Sequence, residues 1–109
     1  MISMANEIIY NDIDKLNPFI YNLKKLIDWD RMVKVIENRL PRKTSKLGRP
    51  AYPVSMMLKI TILQELHNLS DDAVEMHING NIYYKYFLDM DILDKSPDAK
   101  TIWLFKETL

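Results

Sequence analysis

The sequence has no cysteine, which removes disulfide frameworks, thiol nucleophiles and thiolate zinc sites together. Glycine is nearly as scarce, at two residues, and there are five prolines, too little punctuation for a turn-rich β architecture; the abundant Leu, Ile, Met, Lys and Glu favour helices instead. No apolar run approaches the roughly 20 residues of a membrane span. The start Met1-Ile2-Ser3-Met4 lacks the basic-then-apolar order of a secretory signal, so the expected setting is the cytoplasm, with no membrane partner. Net charge is missing as well: fifteen basic and fifteen acidic side chains cancel, and that total alone argues against a nucleic-acid partner.

The 109 residues, 48% hydrophobic and 10% aromatic, suffice for one core and one domain, 1–109. The charge is strongly segregated along it. Between residues 31 and 59 stand eight bases (Arg31, Lys34, Arg39, Arg42, Lys43, Lys46, Arg49, Lys59) and one acid, Glu37, whereas residues 65–109 hold nine acids and four bases. Such a chain has a basic middle and an acidic end.

The pattern predicts an all-α fold, a small bundle of about five to six helices. Leu16, Phe19, Ile20, Leu23, Leu26 and Ile27 form one stripe, with Pro18 in the first turn. Asp28 caps a second helix carrying Trp29, Met32, Val33, Ile36 and Leu40, ended by Pro41 and folded as a hairpin on the first. Residues 41–53 hold three of the five prolines and read as a basic, Pro-rich loop between helices two and three. Residues 54–67 are apolar on several faces (Met56, Met57, Leu58, Ile60, Ile62, Leu63, Leu66), the mark of a central helix. Ser70-Asp71-Asp72 caps a short helix that ends near Asn79-Gly80-Asn81; a tyrosine-rich segment follows, then an acidic turn and a last helix capped at Ser96-Pro97-Asp98 with Ile102, Phe105 and Leu109 on one side. Trp29 and Trp103 are both expected to be buried.

Catalytic constellations are scarce. His67 and His77 stand ten residues apart, not four, so they do not share one helix face for a metal, and no Gly-x-Ser-x-Gly elbow is present. Both histidines read as helix-surface residues. Asp89, Asp91 and Asp94 fail the calcium-loop pattern, because Leu93 and Asp94 stand where an oxygen ligand and glycine are required. Asp71, Asp72 and Glu75 suit a helix N-terminus better than a magnesium site. Tyr83, Tyr84 and Tyr86 around Lys85 could stack bases, but two of these rings with Phe87 serve equally to close a core. No catalytic residue, metal ligand, cofactor or small-molecule substrate is assigned.

The order Gly48-Arg49-Pro50-Ala51-Tyr52-Pro53, Leu63-Gln64-Glu65-Leu66, Asn68-Leu69-Ser70-Asp71, Tyr86-Phe87-Leu88 and Pro97-Asp98-Ala99-Lys100-Thr101-Ile102-Trp103-Leu104-Phe105-Lys106 resembles the N-terminal region of insertion-sequence transposases of the IS-five-like group. Ile27-Asp28-Trp29-Asp30 adds to it, so the resemblance spans roughly residues 17–109. Two departures are mild: Asp89 where a glycine is common, and Phe105-Lys106 in place of a phenylalanine-arginine pair.

The resemblance implies binding of double-stranded DNA at an element's terminal inverted repeats, and a homodimer is compatible with it. It further implies that the two-metal strand chemistry belongs to an RNase H-like domain lying after Leu109, so no catalytic carboxylate is carried over. The residues expected to touch DNA are Arg39, Arg42, Lys43, Lys46 and Arg49 on the basic loop, with Lys100 and Lys106 on the last helix. Against this stands a helical protein-interaction module, or a truncated transposase remnant, that does not bind DNA.

Overall fold

The computed structural model describes residues 7, 10–39 and 52–109, and every regular element among them is a helix. There are seven among the described residues: α1 (Ile13–Leu16), α2 (Pro18–Leu26), α3 (Trp29–Arg39), α4 (Val54–His67), α5 (Asp71–Gly80), α6 (Ile82–Phe87) and α7 (Ala99–Glu107). The expected all-α bundle is therefore observed, with the single turn α1 in addition. None of these helices is long and apolar enough to cross a membrane.

Short polar side chains start most of the helices. The Ile20 amide donates to Asn17 Oδ1 before Pro18 opens α2, and the Arg31 amide donates to Asp28 Oδ1 at α3. Ser70 Oγ, Asn81 Oδ1 and Asp98 Oδ1 accept from the amides of Ala73, Tyr83 and Thr101, at distances of 3.1, 2.8 and 2.8 Å. Each satisfies an amide that the helix itself leaves without a partner. Helix α4 ends at Asn68, whose left-handed φ of 53° brings the Leu69 amide back to the Gln64 carbonyl.

Helix α4 is the axis of the bundle. Four successive residues, Met57, Leu58, Lys59 and Ile60, are buried, which requires neighbours on every side. Those neighbours are α3, α5 and α7. Around it Leu63, Val74, Ile78, Phe87 and Ile102 form the centre of the core, joined by Ile20, Tyr84, Leu88 and Met90. Tyr84 and Phe87 are buried while Tyr83 and Tyr86 are half-buried, so the tyrosine-rich segment serves the core, as its amphipathic rings allow.

Three expectations are corrected. Helices α2 and α3 do not pair as a simple hairpin: α2 lies on α6 and α3 lies on α4, and the Trp29 indole N–H donates across to the Lys24 carbonyl at 2.9 Å. Of the stripe expected from Leu16 to Ile27 only Ile20 is buried, while Leu16 at the end of α1 and Phe19 and Leu26 on α2, the last 82% exposed, face outward. A stripe names the apolar face, but α2 packs mainly on the single turn α1 and on α6, which leave part of that face uncovered. Trp103 is exposed, not buried, because it projects away from the side that carries the buried Ile102 and half-buried Phe105; Leu109, beyond the last turn, is exposed as well.

Candidate nucleic-acid interface

The structure sorts the lysines into those that hold the fold and those that face outward. Lys24 lies on α2, Lys59 on α4, and both bind the Asp89 carboxylate, at 2.5 and 3.1 Å. Lys59 is buried, with the Trp29 ring 5.0 Å and the Phe87 ring 6.0 Å from its Nζ, so aromatic faces and one carboxylate replace its water shell. Lys24 also donates to the Tyr86 carbonyl at 2.8 Å and sits 4.1 Å from the Tyr86 ring centroid. Burial opposes ionisation of Asp89, yet the two ammonium groups hold its carboxyl below the usual value.

Asp89 itself has φ 59°, the left-handed region that glycine enters freely. In that backbone the Asp89 side chain recruits two lysines. Sequence reading missed this knot. The unusual aspartate directly after Phe87-Leu88 was the available signal.

Lys106 is a third cation taken up internally. It pairs with Asp71 Oδ1 at 2.5 Å, and Gln64 Nε2 donates to the same oxygen at 2.8 Å. Burial raises the Asp71 pKa, but these two hydrogen bonds and the Lys106 charge outweigh it and leave the carboxyl below its ordinary value. At the other end of α7 the Ala99 amide donates to Glu75 Oε1 at 2.8 Å, so α5 and α7 run antiparallel, fastened at both ends. Lys85 is consumed as well, donating to the Asp94 carbonyl.

Of the expected contact residues, Arg39 is exposed at the end of α3 and Lys100 is exposed in the first turn of α7. Lys106 is half-buried in its ion pair, turned toward α5. Arg42, Lys43, Lys46 and Arg49 lie outside the described residues, as does most of the basic loop. Arg39 and Lys100 sit on helices that do not share one of the bundle's main packing contacts. His67 and His77 are exposed, with the Tyr84 ring stacked against both at centroid distances of 5.8 and 5.6 Å.

Helices α4 and α5, joined by Asn68-Leu69-Ser70, have the length of turn found in helix-turn-helix units. Yet α5 carries Asp71, Asp72 and Glu75 and no lysine or arginine, so a phosphate backbone would repel it.

A family model described as Transposase domain (DUF772) matches residues 7–108. The chain belongs to that family. The match takes in the seven helices of the described residues, α1 to α7. No solved structure matches this transposase domain.

Proposed function

We propose that this transposase domain is the DNA-binding and assembly part of an insertion-sequence transposase of the IS-five-like group, and that it recognises the inverted-repeat ends of its element. The reading rests on the family match over residues 7–108 and is supported by the cation run Arg39, Arg42, Lys43, Lys46 and Arg49, in a chain whose other residues carry ten basic and fifteen acidic side chains. Residues 1–109 act as one domain without catalytic carboxylates; strand cleavage, with its divalent metals, belongs to an RNase H-like domain. Lys100 adds a contact from α7, and Lys106 reaches DNA only by leaving Asp71.

A gel shift with duplexes carrying the element's terminal repeats, beside scrambled duplexes of equal length, tests this. Preferential retardation of the repeats is the expected result; equal, weak binding to both or none refutes repeat recognition.

A second reading, a protein-interaction module, is favoured by one observation: Trp103 on α7 is 49% exposed with Leu104 beside it. Aromatic side chains at the surface suit protein partners. Light scattering on wild type and on Trp103→Ala separates the readings: dimers lost in the variant while DNA binding persists assign Trp103 to assembly.

A further inference from the structure

Helix α3 packs against α4 and contributes no fully buried residue. Its half-buried side chains, Trp29, Met32, Val33 and Ile36, share the inward face. The opposite face repeats at the same helical spacing with another chemistry: Arg31, Lys34, Val35 and Asn38 are exposed, and Arg39, two turns after Met32, is exposed at the edge of that face. Three of these five are cations, and no ion pair engages any of them among the described residues. That separates them from Lys24, Lys59, Lys85 and Lys106, whose charges are spent inside the fold. The acids of the helix, Asp30 and Glu37, line the other edge of this face, four residues before and three after Lys34.

We propose that this outer face of α3 binds the phosphate backbone of duplex DNA, a proposal that rests on the DNA-binding reading above and gives it a defined surface. From Arg31 to Arg39 the helix rises about 12 Å, over which one strand presents on the order of three phosphates. Three long cations and the Asn38 amide match that spacing with the side chains that commonly make phosphate contacts. In sequence the face also runs directly into the cations Arg42, Lys43, Lys46 and Arg49. Val35 is its only apolar member, too little surface for insertion into a bilayer or for a dry protein interface.

The test uses the whole chain, a random-sequence duplex and a salt series. The triple variant Arg31→Ala, Lys34→Ala, Arg39→Ala is compared with wild type and with the charge control Lys15→Ala, Lys95→Ala, two exposed lysines away from α3. Circular dichroism verifies that each variant keeps its helices; the conservative set Arg31→Gln, Lys34→Gln, Arg39→Gln stands in if the first loses them. The expected result is a slope of log affinity against log salt lowered by about three units in the triple variant, with the control near wild type. Duplex binding and slope unchanged in the triple variant overturn the α3 assignment while the DNA-binding reading stands. Wild type that binds no duplex overturns both. Wild type that binds phosphatidylserine vesicles through these residues in place of duplex assigns the face to a membrane and also overturns the proposal.

Discussion

Trp29 meets Phe87 edge-on, with ring centroids 5.5 Å apart and planes at 81°, so the first turn of α3 is seated on the last turn of α6. The same indole donates to the Lys24 carbonyl near the end of α2. One side chain therefore ties three helices. Replacing Trp29 by alanine is expected to cost about 2–3 kcal/mol, below a full core truncation because the ring is only half-buried. Trp29→Phe should keep most of the packing and lose about 1 kcal/mol with the hydrogen bond. Urea denaturation followed by circular dichroism gives both values, and equal losses in the two variants would show that the ring contributes nothing beyond its N–H.

Trp103 is the opposite case. Its exposure predicts that Trp103→Phe changes stability by no more than about 0.5 kcal/mol. Fluorescence distinguishes the two indoles: Trp103→Phe, which retains Trp29, should emit further to the blue than Trp29→Phe, which retains Trp103. The reverse order would mean that the indole of Trp103 is shielded in solution.

The Asp89 knot gives a coupling that can be measured. Asparagine tolerates the left-handed backbone, so Asp89→Asn isolates the charge. Because the Asp89 side chain is 65% exposed and screened, the expected loss is about 1 kcal/mol. Lys59→Met removes the buried ammonium that would otherwise lack its partner, and the double variant should be more stable than the sum of the singles by at least about 0.5 kcal/mol. Strict additivity in a urea-based double-mutant cycle would show that Lys59 does not depend on Asp89.

Acid reports on the fastening of α7. The folded Asp71 pKa lies below the ordinary aspartate value, so its contribution to stability is present above that value and lost as pH falls through the depressed folded value. Lys106→Met removes a hydrogen bond and a charge that hold it down. Acid unfolding, read by circular dichroism, should then begin at higher pH than in wild type; an unchanged midpoint would mean that the pair adds nothing to folding.

Alkali reports on Tyr10. Its hydroxyl donates to the Met90 carbonyl at 3.1 Å, and burial, followed by the charges of Asp91, Asp94 and Asp89, pushes its pKa from 10.0 up to about 12. The raised folded value gives stability that is complete below pH 10 and lost as pH rises toward 12. In Tyr10→Phe the fall in stability over that interval should be shallower, and the difference between phenolate absorbance titrations of wild type and variant should centre well above 10. A difference centred at 10 would place this hydroxyl in water.

Much of this architecture was legible because local chemistry carries it. Asp28, Ser70 and Asp98 announce their helices by hydrogen-bonding amides three residues on, and the many-sided apolar run of residues 54–67 identifies the central helix without reference to any partner. What depends on distant neighbours was not legible. Nothing in the stripe of α2 says that α6 covers only part of it, and nothing beside Lys106 in sequence says that Asp71 claims its charge. The proposed contact residues divide likewise: Arg39 and Lys100 stand exposed on described helices, while residues 42, 43, 46 and 49 fall outside the described part.

The bonds that join α2 and the residues before α1 to the far side of the bundle have a consequence for the order of folding. Lys24 reaches Tyr86 and Asp89 across 62 and 65 residues, and Tyr10 reaches Met90 across 80, whereas α3 to α7 pack mostly on neighbours close in sequence. Closing a long loop costs entropy before its contacts return any energy, so the segment from α3 onward can assemble first and the N-terminal helices dock onto a finished surface. The seam between α2 and α6 is then the last to form and the earliest to open. In native-state hydrogen exchange the amides of α2 should exchange by a smaller opening than those of α4, so this domain loses its N-terminal strap before it loses its core.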